Sequence, residues 1–254
     1  MWRFPFGRLV SARPPSASTP KAFFVLGAYP SALHVEWQPP QPFKRVQALA
    51  VDDEPTPFWD GSEHEAQLDR WKHCVGFDDS WGRVVASPKF NGSSGRELAT
   101  SVLKPLRASA SEVWTTDCLD TYRGSVAGAV RLDDTYNPWA RAAGLLPAAV
   151  RRHPSEADIV REALVLHRAR LLREIQAARP ELVITLGNAA LRVLRSLLGA
   201  EDLPIFLSPE QYGVQHTIRV GGRSVRCLPL AHPAAPARYR AAHAHWASEL
   251  ALAS

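Results

Sequence analysis

The sequence predicts an α/β protein, a three-layer α/β/α sandwich around a central, mostly parallel sheet of about four strands. Three observations predict it. Short apolar runs of strand length alternate with stretches of helical periodicity. Two of those runs, Phe23–Leu26 and Leu182–Leu186, are almost continuously apolar, as strands covered on both faces are. Three segments also end strands on small or turn-forming residues: Gly27-Ala28-Tyr29-Pro30-Ser31, Gly187-Asn188-Ala189-Ala190 and Ala231-His232-Pro233-Ala234. Ligands of an open parallel sheet bind just beyond the carboxyl ends of its strands. Three such turns at one edge would enclose a single pocket with His232 in it.

Local signals justify the elements in order. Phe23–Leu26 is the first buried strand. Val46–Val51 follows a connection broken by Pro39, Pro40 and Pro42 and runs into Asp52-Asp53-Glu54-Pro55. From 60 to 90 the chain is polar, dotted with tryptophan, and without a clear period. Phe90-Asn91-Gly92-Ser93-Ser94-Gly95 leads into a helical pattern through Leu98, Val102 and Leu106, with serine before it and Glu97 inside its start. Val113–Thr116 is a short strand closed by Asp117, and turn-rich chain from Leu119 to Pro154 wraps the sheet. Ser155-Glu156-Ala157-Asp158 resembles a capping box, with Asp in place of Glu or Gln. The helix it opens carries Ile159, Ala163, Leu164, Leu171, Leu172 and Ile175, and Pro180 ends it. After the strand Leu182–Leu186, a helix from Ala189 to Leu198 stops at Gly199. Gly221-Gly222 turns a hairpin whose second arm continues into Cys227–Leu230, and a last helix begins near Pro236. Residues 1–20 read as a flexible N-terminal lead, and 21–254 as one domain with an expanded connection over 33–89.

Composition narrows the class. The 254 residues are 46% hydrophobic, enough for a sizeable core. No apolar run approaches the roughly 20 residues that span a bilayer, and Met1–Pro20 has no continuous apolar stretch of a secretory signal, so a cytoplasmic protein without a membrane partner is expected. The formal charge of +5 suits an anionic partner such as nucleic acid. Cys74, Cys118 and Cys227 form no CxxC pair and the histidines are scattered, which argues against a disulfide framework, an iron–sulfur cluster or a metal site. No cofactor fingerprint, neither G-x-G-x-x-G nor G-x-x-x-x-G-K-[ST], is present.

Five segments in order resemble the uracil-DNA glycosylase superfamily. Gly27-Ala28-Tyr29-Pro30-Ser31 is similar to its first motif, a strand ending in Gly-x-x-Pro. Phe90-Asn91-Gly92-Ser93-Ser94-Gly95 resembles its Phe-x-Gly-x-x-Gly helix start, and Trp114-Thr115-Thr116-Asp117 the strand that usually ends in a base-reading Asn. Arg179-Pro180-Glu181 through Ala190 is similar to its P-x-(apolar)₄-G-x-x-A block, and His232-Pro233-Ala234 to its closing His-Pro-Ser. The resemblance implies hydrolysis of the N-glycosidic bond of a deaminated or damaged, uracil-type base in DNA, single or double stranded, without metal or organic cofactor. It departs at functional positions. Ala28 and Tyr29 stand where the family usually carries a water-orienting acid or amide, Asp117 replaces the Asn, and Ala234 removes a hydroxyl.

An enzyme acting on a base must flip it out of the stack. Under the resemblance Phe90 is the ring that stacks it, unless Phe90 only anchors the Gly92–Gly95 turn. Cleavage leaves negative charge on the departing base, and a donor aimed at its oxygen stabilises the transition state. His232 suits that role, or else caps the last helix. Asp117, with Gly27 and Ala28, would line the base site. An ionised Asp only accepts hydrogen bonds, which implies altered base specificity, or a local turn cap. Asp52, Asp53 and Glu54 end a strand where a carboxylate could orient water, with Asp53 the chosen candidate; otherwise they are acidic turn residues. Tyr29 would orient water or fill the pocket. Phosphate contacts would come from Ser31, Ser93, Ser94, Arg238 and Arg240, with Tyr239 a wedge into the base stack, or the last three are ordinary helical surface. A second function class follows from Ala28 and Tyr29: a catalytically inactive nucleic-acid-binding protein on the same fold.

Overall fold

The computed structural model describes residues 1–232 and 237–252. The chain runs β1 (Phe23–Gly27), β2 (Ala32–Gln38), β3 (Val46–Asp53), α1 (His64–Val75), β4 (Arg83–Ala86), α2 (Ser93–Glu97), β5 (Val113–Asp117), α3 (Val126–Arg131), α4 (Asn137–Ala142), α5 (Glu156–Glu162), α6 (Arg168–Ala178), β6 (Leu182–Leu186), α7 (Asn188–Leu198), β7 (His216–Val220), β8 (Arg223–Leu230) and α8 (Arg238–Leu252).

The larger sheet has the order β5-β1-β6-β8-β7. β1 pairs in parallel with β5 and β6, and β6 with β8, while β7 returns antiparallel along β8. That is one strand more than the sequence led us to expect, because the first arm of the Gly221-Gly222 hairpin pairs along the whole of its length and adds an edge.

Side chains alternate across this sheet even where the sequence is apolar throughout. Phe24 and Leu26 pack on one face with Ile159, Leu171 and Ile175 of the α5–α6 segment and with Leu191, Val193 and Leu194 of α7. Val25 points to the other face, with Ile184, Leu228, Leu98, Val102 and Trp246. The helix signals hold. Ser155 Oγ accepts from Asp158 N and donates to Asp158 Oδ2, and Gly199 closes α7 in the left-handed region with φ of 61°.

Residues 33–89 are a folded unit with a second antiparallel sheet, β3-β2-β4. Leu33, Val35 and Trp37 alternate inward along β2, and α1 lays Leu68 and Trp71 over them. The expectation of a flexible lead over 1–20 is corrected by the same core. Phe4 and Phe6 are buried, and the Phe6 ring lies 5.5 Å from Trp71, 5.6 Å from Trp37 and 5.1 Å from Tyr136. An aromatic ring removes roughly 150–250 Å² from water, enough to hold a short proline-rich segment against the body. The chain from Leu119 to Pro154 carries α3 and α4 and adds Tyr136 and Trp139 to this aromatic core.

The two sheets meet at the Gly27–Ser31 turn, which leaves β1 and enters β2. In the antiparallel register Ala32 faces Asp53. Glu54, the next residue, therefore arrives beside Ser31.

Candidate functional site

The carboxyl ends of β1, β5, β6 and β8 open into a cavity of about 720 Å³. Ala28, Asp117, Gly187 and His232 reach it from the larger sheet, and His34 and Glu54 from the smaller one, followed by Phe58. The strand-end turns expected to share one pocket do share it.

Asp117 closes β5 opposite Gly27. A Cβ on Gly27 would lie 2.2 Å from Asp117 Oδ1 and 2.6 Å from Phe58 Cζ. Only a residue without a side chain lets the carboxyl and the ring meet over the strand end. Thr115 Oγ1 donates to Pro57 O at 2.9 Å and so ties the Phe58 segment to β5. Behind Asp117, Arg170 on α6 fixes the backbone: Nη2 donates to Asp117 O at 2.8 Å and to Cys118 O at 3.0 Å. Its Nη1 bonds Thr116 Oγ1 and pairs with Glu174. Among the described residues no donor bonds the Asp117 side-chain oxygens. With 4% of its surface exposed, Asp117 titrates at about 7; burial raises it and Arg170 only partly opposes this.

Glu54 is the second carboxyl of the cavity. Its Oε1 accepts from Ser31 N at 2.8 Å. Burial, reinforced by the charge of Asp117, pushes it up to about 8. Asp53, the candidate chosen from sequence, is turned away. Neighbours in a strand point to opposite faces, and Asp53 Oδ2 accepts from Ser11 N and Oγ at 2.9 and 2.7 Å. Asp52 pairs with Arg8 at 2.9 Å. The acidic cluster thus divides, and its last member faces the pocket.

His232 follows β8 and packs beside Gly187, where an added Cβ would lie 3.4 Å from His232 Cβ. Gly187 has φ of 91°, and the α7 N-terminus starts directly after it. Burial lowers the His232 pKa and so favours the neutral imidazole, a form that can donate one N–H without carrying charge. Pro233, Ala234 and the two residues after them lie outside the described residues. Tyr29 lines the cavity, with its hydroxyl bonded to His153 Nδ1, and burial pushes it up to about 12. It leaves the cavity open. Ala28 lines the cavity beside it.

Phe90 is not in this cavity. It lies 38% exposed over His34, with ring centroids 6.3 Å apart, and lines a neighbouring space of about 260 Å³. Its motif acts through Asn91, whose side chain accepts from His34 N at 2.7 Å and donates to His34 O at 3.0 Å. His34 is thereby pinned at the cavity wall, and burial lowers its pKa to about 4. A phenylalanine that does line the cavity is Phe58, which sequence reasoning left unassigned. The only sequence signal for it is an aromatic closing the Pro55–Pro57 turn after the acidic cluster.

Ser31 and Ser94 are half-buried on the cavity wall, whereas Ser93 is exposed outside it. Arg238 is the first residue of α8, and Arg240 is exposed on the rim of a groove that also borders His232. The wedge expected of Tyr239 is corrected: the residue is buried, its hydroxyl donates to Leu207 O at 2.7 Å, and its ring walls the cavity. Among the described residues no cluster of His, Cys, Asp and Glu is arranged to hold a metal ion, and no helix is long and apolar enough to cross a membrane.

A search of curated proteins found no match. The family model for the uracil DNA glycosylase superfamily matches residues 86–253, more than half of the sequence, from the end of β4 to the end of the chain's last helix. With β5, β6 and β8 in parallel around β1, and with Asp117 and His232 at their carboxyl ends, the chain belongs to the uracil DNA glycosylase superfamily.

Proposed function

We propose that the protein is a DNA glycosylase that hydrolyses the N-glycosidic bond of a deaminated or damaged base. The observation that carries this reading is the convergence of Glu54, Asp117, His232 and Phe58 on one cavity in a member of this superfamily. A fold does not fix an activity, so the reading rests on what these groups can do together. Phe58 stacks the flipped base, a contact worth about 1–3 kcal/mol per base. Asp117 meets the base edge. Neutral His232 donates to the base oxygen on which charge develops as the C1′–N bond breaks. Glu54, as the carboxylate, takes a proton from the water whose oxygen bonds C1′. The bond electrons leave with the base as its anion, and the proton that Glu54 took from the water passes to it through solvent, which restores the carboxylate. Glu54 thus stands in for the acid absent at Ala28 and Tyr29. Ser31, Ser94 and the Arg238 and Arg240 end of α8 would meet the DNA backbone.

The experiment is base release from labelled oligonucleotides carrying uracil, hypoxanthine, xanthine and undamaged controls, single and double stranded. We expect release from at least one modified strand and its loss in His232→Ala. Salt-sensitive DNA binding with no release from any strand would make this a binding protein on the same fold.

A further inference from the structure

Phe90 heads a motif that the proposed chemistry leaves partly unused. Its ring is one wall of the neighbouring space of about 260 Å³. His34, Tyr122 and Ser125 line both this space and the main cavity, so the two adjoin. By ring centroids His34 lies 6.3 Å from Phe90 and 6.4 Å from Tyr122. Three neighbouring rings thus wall the smaller space, and Leu49 and Ala50 of β3 add to its apolar lining. Cations stand beside it. Lys89 Nζ lies 5.8 Å from the centroid of the Phe90 ring, and Arg131 lines the space from α3. Neither is in an ion pair among the described residues.

We propose that this space is a second base subsite, which holds the base next to the excised one in a single strand of DNA. The inference rests on the glycosylase reading above for what occupies the main cavity. An apolar space walled by aromatic rings, with unpaired cations at hand for the phosphates, has the chemistry of a stacking site. Its volume falls just below the roughly 300–1,000 Å³ of sites that take whole drug-sized ligands, which suits one base.

Position supports the same occupant. Successive bases of a strand are joined through a single phosphodiester, so their sites must adjoin, and spaces with three lining residues in common do. In a duplex the second base has to leave its own pair as well, at a further cost. The subsite therefore fits a single strand. Stacking is tolerant of sequence because every base has a π-face, so the subsite accepts any neighbour. Its walls from β2 and β3 lie before residue 86, where the family match begins. The subsite thus belongs to the added sheet and not to the shared fold.

The test uses single strands carrying the base that the panel above shows to be released, or uracil if none is. One strand is intact, and in two others a tetrahydrofuran abasic spacer replaces the base on the 5′ or the 3′ side. Release below saturation and binding by fluorescence anisotropy are measured for each. One spacer should lower both by at least about fivefold, and the other should leave both within about twofold. Ala127 is an exposed residue of α3 that lines the space. Ala127→Trp fills it, and all three strands should then behave alike. Phe90→Ala should cost a few-fold at most, on the intact strand and not on the sensitive spacer strand. Equal behaviour of the two spacer strands with the native protein overturns the proposal, and if release occurs the glycosylase reading stands. A spacer effect undiminished in Ala127→Trp overturns it too. Release from no strand overturns the glycosylase reading, and binding of the three strands then decides the subsite. Binding to no strand overturns both. A thermal melt checks that Ala127→Trp folds, and the native protein decides without it.

Discussion

The five-stranded and three-stranded sheets deliver different chemistry to one cavity. The larger sheet contributes groups fixed by strand ends, Asp117 and His232, with Gly27 and Gly187 leaving them room. Its strands β5 to β8 fall inside the family match. The smaller sheet is built on an aromatic core, and its β2 and β3 lie before residue 86, where the match begins. It contributes Glu54, His34 and the chain that carries Phe58. The motif between Gly27 and Pro30 holds no acid, yet the pairing of Ala32 with Asp53 brings one to Ser31. A carboxylate missing from a motif can be returned by the register of a neighbouring sheet.

The largest effect that could break this comparison is on turnover. Under the proposed function, Glu54→Gln keeps an acceptor for Ser31 N and removes the base. Base release should fall by about 10²–10⁴-fold, as loss of a general base does. Asp53→Asn, one residue away, keeps an acceptor for Ser11 and lies off the cavity, so release should stay within about twofold. Equal effects of the two variants would mean that the smaller sheet serves only as scaffold. Turnover of the native protein should also rise with pH as Glu54 ionises, levelling above about 8. In Glu54→Gln that rise should vanish.

Next in size is the stability of the smaller sheet itself. Trp37 is fully buried and packs 4.7 Å from Trp139 and 5.6 Å from Phe6, ring to ring. Trp37→Ala should cost about 3–5 kcal/mol in urea unfolding. If the two sheets unfold together, one transition should shift. If the smaller sheet is a separate unit, a second, earlier transition should appear while the larger sheet keeps its midpoint.

The two phenylalanines sharpen the comparison further. Phe58→Ala should weaken base release about 10- to 100-fold, in line with about 1–3 kcal/mol for a stacked base. Phe90→Ala removes a ring that lies over His34 outside the main cavity and should cost a few-fold at most, of the order of 0.5 kcal/mol. The reverse order would return the stacking role to Phe90.

What was legible in the sequence follows the same division. The larger sheet was readable because buried parallel strands are apolar throughout and end on glycine, histidine or a capping residue, all local signals. Asp117 and His232, which such signals single out, do line the cavity. The smaller sheet was not readable, although Leu33, Val35 and Trp37 alternate with His34 and Glu36, because five residues are a short window for period two and the prolines at 39, 40 and 42 interrupt the pattern after them. Choosing Glu54 over Asp53 needed the β2–β3 register, a pairing between residues some twenty apart, which no local pattern encodes. That Phe58 rather than Phe90 lines the cavity has a related reason. A Phe-x-Gly-x-x-Gly pattern describes a helix start, but which ring enters the cavity depends on how Pro57 is held by Thr115 across the sheet. Tyr239 stands on a helix whose facing depends on the loop that ends at Leu207.

The last expected effect concerns stability rather than turnover, and its sign separates the cavity carboxyls from ordinary surface acids. Glu54 and Asp117 are both raised in the folded protein, to about 8 and about 7, from ordinary values of 4.5 and 3.8. A carboxyl raised by folding binds its proton more tightly in the native state. The stability it confers is therefore present below its unfolded pKa, declines as the pH rises, and is fully lost above its folded pKa. The protein should become less stable between about pH 5 and about pH 8, with a slope of the order of 1 kcal/mol per pH unit for each such group. Paired surface acids such as Asp158, which is lowered by its Ser155 bonds, act in the opposite direction and at lower pH. Glu54→Gln should flatten part of the slope and be more stable than the native protein at about pH 8, although it is the less active of the two. Urea unfolding of both proteins across this pH range measures it. A native stability that instead rises toward pH 8 would mean that Glu54 is ionised in the folded state and paired, and the smaller sheet would then supply a fixed charge to the cavity rather than a base.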